Sequence, residues 1–157
     1  MVGGKIVVKG ETARLDATLA VAADYANVAS DGKLNVMGIF QEFSPDGFPA
    51  VVPQIYLVVS WTAGPAEFGS QKEVRIAFVG PDNAEHFALD YQLTVPQTSR
   101  PGERVTFHQI LGIGGLPLTQ SGPHAIYVLV SGEEKASVPL YVNEPSAQIE
   151  EEVSNGA

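Results

Sequence analysis

An all-β fold is what this sequence predicts: a single antiparallel β-sandwich of about eight strands, immunoglobulin-like or related. Three observations predict it. From Ala13 to Val142 the chain reads as apolar stretches separated by Gly, Pro, Asn and Asp turn signals. No window of about twelve residues or more carries an unbroken helical period of apolar positions with caps. The 157 residues are 45% hydrophobic and only 17% charged, a balance that favours a packed core over disorder.

Strands are expected in order at 16–25, 33–40, 53–63, 71–79, 85–95, 104–112, 124–130 and 135–142. Ser30-Asp31-Gly32 closes the first pair, with Gly32 supplying a positive φ. Gly64-Pro65-Ala66-Glu67-Phe68-Gly69 reads as one short helical turn near 65–69, with Pro65 at its start and Gly69 as its stop. Gly80-Pro81-Asp82-Asn83 and Ser131-Gly132-Glu133-Glu134 close two further hairpins. Gly114-Gly115 before Leu116-Pro117 reads as a flexible connection between strands. In the alanine-rich stretch 13–28 a helix competes with a strand. A small closed barrel competes with the sandwich, because strand count does not separate them.

Three segments follow from composition: a flexible N-terminal arm at 1–12, the sandwich at 13–143 and a disordered acidic tail at 144–157. Residues 5–9 of the arm have the composition of an accessory strand. The net charge is −9. Lys5, Lys9 and Arg14 against Glu11 make the first fourteen residues +2, while Glu144, Glu150, Glu151 and Glu152 make the tail −4. A central body of −7 with scattered basic residues lacks the stripe that releases counterions from nucleic acid, and it disfavours anionic membranes. The longest apolar runs, such as 126–130, fall far short of a membrane helix. No signal-peptide pattern opens the chain. With no cysteine, disulfides, thiolate metal sites and cysteine nucleophiles are excluded, and a cytoplasmic location is expected.

The segment Asp24-Tyr25-Ala26-Asn27-Val28, followed by Gly32-Lys33-Leu34-Asn35-Val36-Met37-Gly38-Ile39-Phe40, carries a resemblance. It continues through Phe48-Pro49-Ala50 to the last hairpin at 122–142, so that 18–142 is covered. Over this span the chain resembles a bacterial family of small β-sandwich domains of unknown function. The resemblance implies a single sandwich domain and brings no activity, substrate or catalytic residue with it. The same block also reads physically: Asp24 and Asn27 flank a turn, and Gly38 inside a strand marks a bulge or a close backbone approach.

No site chemistry emerges from the motifs. His86, His108 and His124 lack ligand spacing, and each falls within an expected strand. Asp24, Asp31, Asp82 and Asp90 could gather at sandwich loops around calcium, although turn chemistry explains each separately. There is no Gly-x-Ser-x-Gly elbow, and Gly112-Ile113-Gly114-Gly115 lacks the lysine of a phosphate loop. No catalytic residue, metal ligand or cofactor is therefore assigned, and the chain is not expected to be an enzyme.

What stands out is surplus apolarity. In the last hairpin His124, Ile126, Val128 and Val130 share one face, while Ala125, Tyr127 and Leu129 share the other. Ile55, Leu57, Val59 and Trp61 likewise alternate with Tyr56 and Val58. Either these strands are covered on both sides, by the arm and the 43–52 loop, or an outer face meets a partner. The candidate binding residues are Tyr127, Leu129, Trp61 and Tyr56. The expected role is a non-catalytic binding or assembly module, acting on a protein partner or as a homo-oligomer through sheet faces or edges. The alternative is a small-molecule or carbohydrate binder, with or without calcium, stacking its ligand on Trp61, Tyr25 or Tyr91.

Overall fold

The computed structural model describes residues 14–98 and 100–146, so the expected arm at 1–12 and residues 147–157 of the expected tail lie outside the described residues. Among the described residues nine strands follow one another: β1 (Leu15–Val28), β2 (Leu34–Phe40), β3 (Glu42–Phe43), β4 (Ala50–Ala63), β5 (Gln71–Val79), β6 (Glu85–Thr94), β7 (Val105–Leu118), β8 (Gly122–Val130) and β9 (Glu133–Val142). A lone 3-10 turn, Pro65–Glu67, sits where the Pro/Gly signals placed a helical turn.

The strands form two packed sheets, one ordered β2-β1-β4-β7 and the other β3-β9-β8-β5-β6. Neither closes on itself, which settles the sandwich over the barrel. All pairings are antiparallel except that of β3, a two-residue strand running parallel to β9. β3, the one strand beyond the eight expected, carries the chain from one sheet to the other and is too short to leave a period in the sequence.

The alanine-rich stretch is strand, not helix. β1 lies between β2 and β4 and pairs with both, so its ladder bonds outweigh alanine's helix propensity. Its register against β4 shifts between Ala17 and Leu19, a bulge that keeps Leu15, Ala17, Ala20 and Ala22 all against the core.

Gly114-Gly115 also departs from expectation. The pair lies inside β7, whose pairing with β4 runs unbroken from Val105↔Ala63 to Leu118↔Ala50. Gly115 takes φ +73, and a Cβ on Gly114 would come within 3.2 Å of the Pro53 carbonyl oxygen. Close approach and a left-handed residue, not flexibility, account for these glycines.

Inner side chains of both sheets form one core around Trp61, Phe78, Leu57, Ile76, Ile113 and Ile126, all fully buried. Burying each such side chain stabilises by about 1.5–3 kcal/mol. Phe43, Phe48, Ala50 and Val52 also pack against it, so the 43–52 segment covers one end of the core. One polar node sits inside. The Gln109 side-chain carbonyl accepts from the Trp61 indole N–H at 2.9 Å and from the Tyr91 hydroxyl at 2.7 Å. Burial raises the Tyr91 hydroxyl pKa from 10.0 to about 12, against the lowering effect of that hydrogen bond.

No helix among the described residues is long and apolar enough to cross a membrane.

Candidate functional site

Register determines which side chains share the outer face of the four-stranded sheet. One row across the sheet is Ile39, Ala23, Tyr56 and Gly112; the next is Val21, Val58 and Ile110; the third is Leu19, Ser60 and His108. Beyond the first row stand the pairs Tyr25↔Met37 and Gln54↔Gly114, and then Asn27↔Asn35. None of these outward positions holds Asp, Glu, Lys or Arg; charge enters at the next row, Asp16, Thr62 and Thr106, where Asp16 lies 3.8 Å from Arg104.

Seven large apolar side chains are exposed among the described residues, and five of them stand on this face. They are Met37 (63% exposed), Val51 (63%), Ile39 (57%), Tyr25 (48%) and Leu19 (38%). The centre of the same face is closed: Ala23 and Val58 are fully buried and Ser60 nearly so. Tyr25 and Tyr56 meet edge to face, with ring centroids 5.8 Å apart. An apolar rim stands over β1 and β2, while on β7 the space beside Gly112 is taken by the Gln54 amide and the Tyr56 ring, 2.8 and 3.5 Å from where a Cβ would lie.

The outer face of the five-stranded sheet is different in kind. It carries Glu73, Arg75, Glu85 and Asp90, and Arg75 pairs with Glu85 at 2.6 Å and with Asp90 at 2.8 Å. These carboxylates raise the Arg75 pKa. Tyr127 and Leu129 lie on this face, half-buried, opposite Ala77 and Arg75. A shallow depression of about 610 Å³ runs past Arg75, Asp90, Tyr91, Leu129 and Ser131.

Of the four residues the sequence nominated, the structure therefore divides three between opposite faces and removes one from the surface. Tyr56 lies on the outer face of the four-stranded sheet, and Tyr127 and Leu129 on that of the five-stranded one. Trp61 is fully buried with its N–H bonded to Gln109, so it cannot serve as a stacking platform. Its alternation with Tyr56 already placed the two on opposite faces; only the second sheet revealed which face was inner. Tyr91 likewise points into the sandwich, committed to Gln109. The exposed residues that sequence reasoning missed are Val51 on β4 and, on the first two strands, Leu19, Met37 and Ile39. The signal of the last three was present in the alternation of β1 and β2, but the two strands had to be paired before it added up to a face.

Two polar groupings have catalytic or ligating types and neither is a formed site. Ser60 Oγ lies 2.8 Å from His108 Nδ1, a cross-strand pair on the outer face of the four-stranded sheet. Ser60 is buried and no carboxylate among the described residues is hydrogen-bonded to the His108 ring, so a nucleophile's access and an oriented base are both missing there. His86 and His124 do meet, with ring centroids 6.4 Å apart. His124 stacks on Phe78 and bonds the Gly122 carbonyl through Nδ1, while His86 faces Asp82 at 3.3 Å. The Ala84 amide bonded to Asp82 holds that carboxyl below its usual pKa, with a smaller contribution from His86. Among the described residues no group of three His, Asp or Glu is placed to hold a metal. The four aspartates considered for calcium stay apart: Asp24 lies beside Gly38, Asp31 bonds the Lys33 amide, Asp82 that of Ala84, and Asp90 pairs with Arg75.

An all-β sandwich with one outer face that is apolar over most of its rows, and with no assembled reaction centre among its described residues, is the class these features define. The chain belongs to a family of unknown function, DUF6941, whose model matches residues 18–143. No curated protein matches it. Among solved structures it is similar to an immunoglobulin-like protein from Pseudomonas aeruginosa, at 10% identity and a TM-score of 0.45, covering 84% of this chain and 98% of that one. It is also similar to part of the alkylpurine DNA glycosylase AlkC of Pseudomonas fluorescens, bound to DNA containing an abasic site analogue. That match has 13% identity and a TM-score of 0.43, and covers 89% of this chain but 33% of the glycosylase.

Proposed function

We propose that this domain is a non-catalytic assembly module that works in the cytoplasm and binds protein through the outer face of its four-stranded sheet. The observation that carries the reading is the concentration of exposed Leu19, Tyr25, Met37, Ile39 and Val51 on one face without a charged neighbour in its rows. Exposed apolar patches of several hundred Å² mark contact surfaces. Burial of Ser60 and the lack of an acid on His108 support the non-catalytic part, and the absence of cysteine supports the compartment. The carbohydrate-binding reading loses its main platforms, because Trp61 and Tyr91 are turned into the core.

The test is a photo-crosslinking amino acid placed at position 25 or at position 127 in the full chain, expressed in its own cells. Covalent protein adducts from position 25 and not from 127 are expected. Adducts from both positions alike, or from neither, overturn the assignment of the face.

A further inference from the structure

We infer that Met37 is an oxidisable switch on this face, a modification site at which a hydroperoxide converts the thioether to a sulfoxide and releases the bound protein. The inference rests on the reading of the face as a contact surface and adds how that contact is regulated. Its basis is position, exposure and the chain's sulfur content. Met37 is 63% exposed, a value matched only by Val51 among the exposed large apolar side chains. It pairs across β1 and β2 with Tyr25 and stands two positions from Ile39, so it belongs to the apolar rim itself. The chain has no cysteine, and Met37 is the only sulfur among the described residues. No thiol in the chain therefore competes for the oxidant.

The step balances with a hydroperoxide as the oxidant. A sulfur lone pair attacks one peroxide oxygen, and the S–O bond forms as the O–O bond breaks. The other oxygen leaves with the proton of the attacked one, as water when the oxidant is hydrogen peroxide. Sulfur gives up two electrons and the peroxide takes them. The reverse step needs two thiols from outside the chain, which become a disulfide while the sulfoxide oxygen departs as water. Reduced, the flexible side chain adapts to an apolar partner. Oxidised, it carries a polar S–O group into the same contact, and covering that group without a donor weakens binding about tenfold. The fold itself is insulated from the change. The buried core contains no sulfur, and Trp61, the other readily oxidised side chain, is fully enclosed.

The test uses the full chain with the photo-crosslinking amino acid at position 25. The purified chain is treated with hydrogen peroxide, freed of it, and mixed with a lysate of its own cells. Oxidation should add one oxygen at residue 37 by peptide mass, leave Tm within about a degree, and lower the yield of protein adducts about tenfold. A thiol-dependent methionine sulfoxide reductase should restore that yield. Met37→Leu should give the parent's adducts and keep them through peroxide treatment. Met37→Gln, which places a polar group at similar reach, should lower them with no oxidant present. Adducts that survive full oxidation of Met37, or a Met37→Leu chain that loses them to peroxide as the parent does, would overturn the switch and leave the contact surface standing. A Tm lowered by several degrees on oxidation would overturn it too, since the fold and not the contact would then be lost. A chain that gives no adducts from position 25 before oxidation would end the contact surface, and the switch with it.

Discussion

Replacing Gln109 with Leu should expose how much the buried polar node matters. The substitution keeps the side chain's approximate volume and deletes an acceptor shared by the Trp61 indole and the Tyr91 hydroxyl. The indole N–H is fully enclosed and has no other partner among the described residues, so leaving it unsatisfied costs about 1–3 kcal/mol. The half-buried Tyr91 hydroxyl can regain water in part, and its loss is nearer 0.5–1.5 kcal/mol, roughly. A total of about 2–4 kcal/mol corresponds to a Tm lower by roughly 6–12 °C for a domain of this size. Denaturant titration of Gln109→Leu, Tyr91→Phe and the double variant provides the check. Tyr91→Phe should cost about 1 kcal/mol in the parent and close to nothing once Gln109 is gone, because the two share one bond. A Gln109→Leu chain within about 0.5 kcal/mol of the parent, or an equal Tyr91→Phe cost in both backgrounds, would refute the reasoning.

Other outcomes follow from the same structure. Because the Tyr91 pKa is raised from 10.0 to about 12 on folding, its contribution is fully present below pH 10 and is lost as pH rises toward 12; Tyr91→Phe should flatten the parent's decline in Tm over that window. Gly38→Ala should destabilise by about 1–3 kcal/mol by equilibrium unfolding, since Gly38 holds φ +71 and a Cβ there would strike the Asp24 carboxylate. The double change Tyr127→Ser with Leu129→Ser should lower stability by about 2–4 kcal/mol by removing half-buried apolar contacts, and should leave the sedimentation behaviour as it was. An altered mass with unchanged stability would instead restore the last hairpin as the contact surface.

Much of the architecture was legible because strand structure writes itself locally. Period-two alternation and Gly/Pro turn chemistry place eight of the strands and the 3-10 turn. The local text misled in β7, where glycines that serve close packing imitated a linker; in β1 the expected strand formed, and pairing on both sides removed the helical rival.

The sequence by itself determined the class: an all-β chain without cysteine chemistry, without a basic stripe, and with more apolar strand faces than one core requires. Only the tertiary structure decided which of those faces is covered. Alternation says that Tyr56 and Trp61 point opposite ways, but it does not say which way is inward; that depends on the second sheet, contributed by residues far along the chain. Packing turned Trp61 inward, and the pairing of β2, β1, β4 and β7 gathered Met37, Ile39, Tyr25, Leu19 and Tyr56 into one surface. A face is a property of register between strands, and register is set by contacts that no single strand encodes.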